Sequence, residues 1–227
     1  MCGRLFQITP PAETARAFGV SNPPPNVPPR YNGAPTQDIL VVRFNPETRE
    51  RTLDPLHWGL VPIWAKDRKV GFSAINARAE TVDEKPLFRD AFAKRRCVVP
   101  ADGFYEWQAT PDGKQPYAVA RKDGKPMPFA SLWERWKDPA SGEILRSFTI
   151  VTTGANERLA ELHERMPVIL DEADIAKWLG EEPAAADDLK GLLRSYPAER
   201  LRLWPVDKRV NNVRNQDGDL IKPLNAA

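Results

Sequence analysis

GFYEWQATPDGKQPYAVAR, residues 103–121, is the segment from which the fold class of this chain follows. Two apolar and aromatic runs, GFYEWQ (103–108) and YAVAR (117–121), lie on either side of the tripeptide PDG (111–113). Proline, aspartate and glycine favour tight turns, because each adopts turn geometry at little conformational cost. The segment therefore predicts two strands joined by a turn, which is the beginning of an antiparallel sheet.

Further strands are predicted on both sides of this pair, with short helices between them. Residues 38–44 (DILVVRF) form a β-branched apolar run, and residues 51–60 could pair with it across a turn. Strands are also predicted at 97–100, 127–133, 147–152, 166–170 and 201–206, and helices at 9–19, 85–94, 171–179 and 187–195. Thr9 is expected to cap the first of these helices. Because strand and helix do not alternate regularly, we expect an α+β fold, a single domain with a mainly antiparallel, barrel-like β-sheet and peripheral helices.

The composition is that of a soluble globular protein of 227 residues, with 41% hydrophobic and 28% charged residues. The net charge of +2 means that any anionic partner must be held by a local basic patch. No apolar run approaches the roughly 20 residues that a membrane span needs, and the N-terminus lacks the apolar stretch of a signal peptide. We therefore expect a cytoplasmic monomer with no membrane partner, whose single domain (1–227) has a core at about 2–206 and a C-terminal segment at 207–227.

Prolines number 23, which is about twice the average of roughly 5%. They cluster in NPPPNVPPRYNGAP (22–35) and then recur singly. Because proline is excluded from helix interiors and central strands, the elements should be short and the turns many. The cluster could be a disordered linker, but Tyr31 and the flanking apolar residues favour an ordered polyproline-like segment on the surface.

Glu106 lies inside the first strand of the pair at 103–121. If it shares a strand face with Phe104, it points toward the interior, and burial beside aromatic rings raises the pKa of such a carboxyl toward the range of a general acid. In the other arrangement Tyr105 and Trp107 point inward and Glu106 faces water. The residue pattern is compatible with both arrangements.

The other candidates for acid, base or anion-binding roles are few. Of the two histidines, His57 beside Trp58 is expected to be structural, and His163 precedes a predicted strand, where a lone histidine is usually structural or merely exposed. The segment NARAET (76–81) brings an amide, a guanidinium and a carboxylate close together, but it could also begin a helix or cap a turn. None of these signals points to one chemistry by itself.

Only two cysteines are present, which argues against a disulfide framework and for a reducing compartment. Cys97 lies in an apolar strand and is expected to be a buried thiol. The histidines and cysteines are too dispersed for the spacing of metal ligands, and no phosphate loop or dinucleotide fingerprint is present. We therefore expect neither a metal nor a cofactor.

Cys2 occupies an unusual position, directly behind the initiating Met1. Methionine aminopeptidases tend to remove a first methionine when the next side chain is small, as that of cysteine is. Removal would leave Cys2 with a free amine and a thiol on adjacent carbons. This 1,2-aminothiol is a group that no internal cysteine can offer.

Four motifs occur in order along the chain: MCGR (1–4), INARAET (75–81), VVPADGFYEW (98–107) and LHERMPVIL (162–170). Together with the tryptophan-rich segment WGLVPIWAKD (58–67), they resemble the SOS response-associated peptidase (SRAP) family, over residues 2 to about 206. Bacterial members of this family and their animal relatives crosslink to abasic sites in single-stranded DNA. The resemblance therefore implies a DNA-damage protein associated with the nucleoid, whose partner is single-stranded DNA that contains abasic sites.

The resemblance also implies a catalytic role for several residues. Cys2 corresponds to the nucleophile that removal of Met1 exposes, and Asn76 to an asparagine that contacts the crosslink. Glu106 and His163 correspond to the catalytic glutamate and histidine. An aldehyde condenses with a 1,2-aminothiol first to a Schiff base and then to a five-membered thiazolidine, so the implied product is a persistent crosslink. Weak strand cleavage (AP lyase activity) and reversal of the crosslink are implied side reactions.

The implied DNA contacts come from a different set of side chains. Arg4, Arg78 and Arg165 correspond to arginines that line the DNA groove in the family, and arginine matches phosphate oxygens well. Trp64, in the tryptophan-rich segment, is a candidate for stacking on bases or wedging between them, and core packing is its alternative.

Two other functions stay open. The family name contains the word peptidase, and Cys2, His163 and Asn76 could form a thiol-peptidase site or an N-terminal-nucleophile hydrolase that removes its own leading residue. A non-catalytic module that binds single strands is the third possibility. Only the crosslinking function gives a covalent DNA adduct that depends on Cys2.

Overall fold

The computed structural model describes residues 2–224, in which two β-sheets are surrounded by short helices. The strands are β1 (Leu5–Gln7), β2 (Arg30–Gly33), β3 (Asp38–Asn45), β4 (Glu50–Trp58), β5 (Asn76–Arg78), β6 (Arg96–Ala101), β7 (Gly103–Thr110), β8 (Gly113–Arg121), β9 (Met127–Lys137), β10 (Ile144–Gly154), β11 (Arg165–Pro167) and β12 (Leu201–Pro205). The α-helices are α1 (Pro11–Ala17), α2 (Arg89–Lys94), α3 (Ile175–Leu179) and α4 (Ala186–Gly191). Short 3-10 helices lie at Arg68–Ser73, Leu159–Glu161, Glu172–Asp174, Ala198–Arg200, Lys208–Asn211 and Gly218–Ile221. Within the described range, no helix is long and apolar enough to cross a bilayer.

Five strands of the larger sheet close into a barrel in the order β10, β4, β3, β6 and β9, because β9 pairs back with β10. Neighbouring strands run antiparallel, except that β10 pairs in parallel first with β4 and then with β5. The smaller sheet has the order β12, β8, β7, β1 and β2 and is antiparallel. The single-domain α+β fold with a mainly antiparallel, barrel-like sheet is therefore confirmed.

The main core lies between the barrel and the smaller sheet. It includes Leu5 and Phe104 of the smaller sheet and Val41, Phe129 and Phe148 of the barrel, all fully buried. A second cluster packs the helices against the larger sheet. A third lies on the other face of the smaller sheet, where the C-terminal segment covers it. Strand β7 is consequently buried on both faces.

The longer strands match the sequence-based expectation, and several shorter elements do not. The pair at 103–121 is confirmed as β7 and β8, and 38–44 pairs with 51–60 as β3 and β4. The helix expected from residue 85 begins only at Arg89, and the first helix begins at Pro11. Thr9 does not cap that first helix, because its hydroxyl donates a hydrogen bond to Asp102, between β6 and β7, instead. Strands β1, β2 and β5 were not predicted.

The proline-rich stretch 22–29 contains neither helix nor strand. It is tied down at its beginning, where the Asn22 side chain donates to the Leu53 carbonyl at 3.2 Å and accepts from the Leu53 amide at 2.8 Å. At its end the chain enters β2 at Arg30. The stretch is therefore an anchored surface connection, as expected, rather than a loose linker.

Candidate active site

The pairing of β1 with β7 brings the N-terminal residues toward the middle of the smaller sheet. The amide of Tyr105 in β7 donates to the carbonyl of Arg4 at 3.0 Å. Because the two strands are antiparallel, each step toward the N-terminus on one is a step toward the C-terminus on the other. Cys2 is thereby brought into the neighbourhood of Glu106.

The Cys2 side chain is completely buried in the main core. Burial raises the pKa of its thiol, and the negative charge of Glu106 raises it further, while a hydrogen bond from the Arg4 amide opposes the rise. The sulfur is therefore a protonated thiol at neutral pH. Any reaction of Cys2 as a nucleophile requires a base to take that proton.

Asn76 fixes the main chain of Cys2 from the other side. It is the first residue of β5, and its Nδ2 donates to the Cys2 carbonyl at 3.0 Å and to the Ile75 carbonyl at 2.9 Å. The Asn76 Oδ1 atom is buried and has no hydrogen-bond partner among residues 2–224. A buried acceptor of this kind can receive a hydrogen bond from a ligand.

Glu106 is buried, with only 3% of its surface exposed. It shares its face of β7 with Phe104, which lies in the main core, so the inward arrangement is the one observed. Tyr105 is buried as well, because the C-terminal segment covers the opposite face. Burial raises the pKa of Glu106, and the proximity of His163 opposes the rise. Glu106 therefore holds a proton at higher pH than an exposed glutamate does.

His163 lies between a 3-10 turn and β11, and its ring is oriented by the backbone. Its amide donates to the Leu159 carbonyl at 2.9 Å, and its Nδ1 accepts from the Arg165 amide at 3.0 Å. In a neutral imidazole, an accepting Nδ1 leaves the hydrogen on Nε2. The tautomer assigned by this contact gives His163 an Nε2–H donor.

Glu106 and His163 meet in the wall of one open cavity of about 460 Å³. Its lining residues are Arg4, Glu106, Trp107, Lys114, His163 and Asn211. The cavity thus combines an acid, an imidazole, two cationic side chains and an aromatic ring. A larger cavity of about 510 Å³ is lined mainly by prolines and apolar side chains and contains neither the glutamate nor the histidine.

Arg4 is held in the cavity wall by groups that are distant in sequence. Its Nη1 donates to Asn32 Oδ1 and to the Val210 carbonyl, each at 2.7 Å. Its guanidinium lies 5.6 Å from the ring centre of Trp107, and the Trp107 Nε1 in turn donates to Asn211 Oδ1 at 2.8 Å. The C-terminal segment therefore helps to build the cavity.

Trp107, Lys114 and Asn211 line the cavity but were not identified from the sequence. Trp107 directly follows Glu106, and its place in the same motif was an available signal. Lys114 lies in the partner strand β8 and Asn211 in the C-terminal segment, and no local pattern connects either of them with the site.

Arg78 and Arg165, the two other arginines that the resemblance implies as DNA contacts, do not line the cavity. They differ in how far their side chains are exposed. Arg165 forms a two-pronged ion pair with Glu80 (2.6 and 2.9 Å) and donates to the Thr152 carbonyl at 2.6 Å. Its side chain is only 12% exposed, and its hydrogen bonds hold the pKa of Glu80 below the usual value. Arg78, in contrast, is exposed.

Trp64 lies in a loop between β4 and β5, here called the Trp64 loop (residues 59–74). Its side chain is 56% exposed, so core packing, the alternative for this residue, is excluded. Ile63 and Phe72 of the same loop are exposed too. The loop therefore presents several apolar side chains to the solvent.

The two sides of the Trp64 loop meet at Gly59 and Gly71, and this contact is here called the neck of the loop. Gly59 has a φ of +133°, which other residues rarely adopt. A Cβ atom on Gly71 would lie 2.7 Å from the Gly59 carbonyl oxygen. The two backbones can approach this closely only without side chains.

The remaining sequence-based expectations concern thiols and metals. Cys97 is fully buried, as expected, and is a free thiol. Among residues 2–224, no group of three or more histidine, cysteine, aspartate or glutamate side chains is placed to hold a metal ion. Removal of Met1 concerns a residue that lies outside the described range.

Comparison with known proteins places these features in one family. The sequence profile of the SOS response associated peptidase (SRAP) family matches residues 1–213. The chain is 39% identical over 225 residues to the abasic site processing protein YoqW of Bacillus subtilis, with 98% of this chain and 99% of the relative covered. It is 34% identical over 225 residues to the abasic site processing protein HMCES of Gallus gallus, with 86% of this chain and 66% of the relative covered.

Solved structures share the fold over most of the chain. A protein of Bordetella bronchiseptica gives a TM-score of 0.78 at 29% identity, with 91% of this chain and 100% of that one covered. A protein of Bacteroides thetaiotaomicron gives a TM-score of 0.89 at 23% identity, with 98% and 100% covered, a likeness of fold alone. The resemblance noted in the sequence is confirmed, and the chain belongs to the SOS response associated peptidase family.

Proposed function

We propose that this protein binds single-stranded DNA and crosslinks itself to abasic sites through the amine and thiol of Cys2. The observation that carries the proposal is the convergence of an acid, an imidazole and an asparagine on the N-terminal segment. Glu106 and His163 share a cavity wall, the charge of Glu106 raises the pKa of the Cys2 thiol, and Asn76 donates a hydrogen bond to the Cys2 carbonyl. The names of the similar proteins, which refer to abasic site processing, support DNA as the substrate.

The reaction is a condensation that releases one water. The free amine of Cys2 adds to the open-chain aldehyde of the abasic sugar, and loss of water from the resulting carbinolamine gives an imine. The thiol then adds to the imine carbon, and its proton ends on nitrogen. The product is a thiazolidine with carbon bonded to both nitrogen and sulfur. The amine must be free, so the reaction requires prior removal of Met1.

Three neighbouring side chains can move or hold the protons of this sequence. Glu106, whose pKa is raised by burial, takes a proton from the ammonium or thiol and returns it to the departing water. The Nε2–H of His163 can donate a hydrogen bond to the sugar ring oxygen, which favours opening of the ring to the aldehyde. Asn76 Oδ1 accepts from the amine or a sugar hydroxyl. Positioned proton transfer typically contributes about 10²–10⁴-fold in rate.

DNA binding is assigned to the cationic and aromatic side chains around the cavity. Arg4 and Lys114 lie in the cavity wall and Arg78 is exposed, so all can approach phosphates. Arg165 reaches a phosphate only by exchanging Glu80 for it, since the two are paired. Trp64 is exposed and can stack on a base. These contacts read no sequence, so the binding is expected to tolerate any base.

The test uses protein whose intact mass shows that Met1 has been removed. It is mixed with an oligonucleotide that carries one abasic site and analysed on a denaturing gel. We expect a shifted covalent band that is absent in Cys2→Ala and retained in Cys97→Ala, the matched control for a buried thiol. A band that persists in Cys2→Ala contradicts the proposal.

The same experiment separates the alternatives. Shortened DNA without a shifted band indicates lyase activity through the imine alone, and later release of intact oligonucleotide indicates reversal of the crosslink. A peptidase that acts only on its own leading residue would release Met1 and give no DNA adduct.

A further inference from the structure

We propose that Asp102 and Gly103 are positioning residues, which fix the register of β1 against β7 and thereby hold Cys2 beside Glu106. This inference rests on the proposed function, since it explains how the nucleophile is kept in place. Neither residue lines the cavity that contains the glutamate and the histidine.

The register of β1 needs an external constraint because the strand is short. It spans only Leu5–Gln7 and pairs with β7 at Leu5 and Phe6. Leu5 packs into the main core, and Phe6 packs into the cluster on the opposite face of the smaller sheet. A slip by one residue would exchange these faces and move the whole N-terminal segment.

Gly103 fixes the register by leaving room for one particular side chain. A Cβ atom at this position would lie 1.9 Å from the Cζ atom of Phe6, so the phenyl ring occupies the space where a side chain would stand. The backbone of Gly103 is not among those with positive φ. The glycine is therefore required for space rather than for an unusual conformation.

Asp102 holds the residues that follow Phe6. Its carboxylate accepts from the amide of Ile8 at 2.5 Å, from the amide of Thr9 at 2.8 Å and from the Thr9 hydroxyl. Its own amide donates to the Phe6 carbonyl at 3.0 Å. Asp102, the residue between β6 and β7, thus holds the chain on both sides of the contact between Phe6 and Gly103.

Because Phe6 lies close to Cys2 in the sequence, a change in the register of β1 also moves Cys2. A strand advances about 3.3 Å per residue, so a slip of one position displaces Cys2 by roughly that distance. A misplacement of about 1 Å can reduce a reaction rate on the order of 100-fold. The register is therefore expected to decide whether Cys2 reacts.

The experiment adds a methyl group at Gly103 and then removes the ring that it meets. Gly103→Ala is expected to lower the crosslinking rate at saturating abasic DNA by about 100-fold, while its affinity for an oligonucleotide without abasic sites stays within about twofold. Phe6→Leu lacks the Cε and Cζ atoms, so the double variant Phe6→Leu/Gly103→Ala should recover at least about tenfold of the loss. Gly191→Ala is the matched control, because no atom lies within 4 Å of its added Cβ.

A second readout does not depend on DNA. Iodoacetamide labelling followed by mass spectrometry compares Cys2 with Cys97, which is also fully buried and serves as an internal reference. Gly103→Ala should raise the ratio of Cys2 to Cys97 labelling by about tenfold, since thiols become reactive when exposed, and the double variant should reverse the increase.

Unchanged crosslinking in Gly103→Ala overturns the inference, as does a loss that Phe6→Leu does not relieve. A general loss of stability would raise the labelling of both cysteines and would also overturn it. If the wild-type protein forms no crosslink, the proposed function fails, and the labelling ratio still decides whether Gly103 sets the register.

Discussion

Glu106 is a buried residue whose charged form opposes the stability of the fold. A buried carboxylate is costly in its charged form, so burial shifts its equilibrium toward the neutral acid. The nearby His163 relieves only part of this cost. A position of this kind is typical of a catalytic acid or base, whose pKa must differ from that of an exposed side chain.

The first prediction concerns Glu106→Gln. Because the folded pKa is raised, the folded state binds more protons than the unfolded one between the two pKa values, and stability falls as the pH rises through the folded pKa. The glutamine variant lacks this loss, so its Tm should exceed that of the wild type by a few degrees at neutral pH. The difference should vanish below about pH 4.3, where the carboxyl is protonated in both states.

The measurement is thermal unfolding across a pH series, together with the crosslinking rate. Crosslinking by the variant should be slower by about 10²–10⁴-fold at neutral pH. Equal Tm values at every pH would contradict the assigned burial effect, and an unchanged crosslinking rate would remove Glu106 from the mechanism.

The second prediction contrasts two arginines. Arg165→Ala breaks the ion pair with the half-exposed Glu80 and the partly buried hydrogen bond to the Thr152 carbonyl, and should destabilise the protein by about 0.5–1.5 kcal/mol in urea unfolding. Arg78→Ala, at an exposed position, should change stability by less than about 0.5 kcal/mol. It should instead lower the slope of log K against log salt by about 0.7 for single-stranded DNA. The reverse pattern would assign the phosphate contact to Arg165.

At the scale of elements, the Trp64 loop combines a rigid neck with an exposed apolar tip. The loop is closed where Gly59 and Gly71 touch, and its tip carries Ile63 and Trp64. Exposed aromatic rings add little to folding stability, so their role is expected in contacts with a partner.

The third prediction separates the tip from the neck. Trp64→Ala should leave the free energy of unfolding within about 0.5 kcal/mol of the wild type and weaken single-strand binding by about 1–3 kcal/mol. Gly71→Ala should impair both properties, because its Cβ would meet the Gly59 carbonyl at 2.7 Å. Urea unfolding and fluorescence titration with an oligonucleotide measure the two effects. Unaltered binding in Trp64→Ala would exclude base stacking by this loop.

Which elements could be predicted from the sequence depends on whether their determinants are local. Strands β7 and β8 were predicted because apolar runs and a PDG turn lie within one segment. Strand β1 was not, because its position is set by Gly103, far along the chain. The orientation of Glu106 could not be chosen either, since both faces of β7 are covered and hydrophobic residues occupy both.

At the scale of the whole molecule, the site is assembled from segments that are widely separated in sequence. Cys2, Asn76, Glu106 and His163 were identified through family motifs, and their convergence depends on long-range pairing of strands. The anchoring of Arg4 by Asn32 and Val210 had no local signal, because each partner is a polar group in an unremarkable segment.

The fourth prediction concerns the C-terminal segment. Val210 and Leu220 are fully buried against the smaller sheet. Leu220→Ala should cost about 2–5 kcal/mol in urea unfolding, through lost apolar contact and a cavity. Asn211→Ala removes only the bond to Trp107 and should weaken DNA binding with little change in stability. A protein that ends at Val206 should fail to fold stably, and a cooperative transition as in the full chain would contradict this.

The distance in sequence between the two strands that position Cys2 has a consequence for biosynthesis. A ribosome makes about 5–20 residues per second, so β7 is translated on the order of 5–20 s after the first residues. In that interval the nascent N-terminus has no β7 to pair with, since Leu5 awaits Phe104. Enzymes that trim the initiator methionine can work on an open terminus. Translation order thus leaves the terminus accessible to such enzymes before the pairing of β1 with β7 buries Cys2.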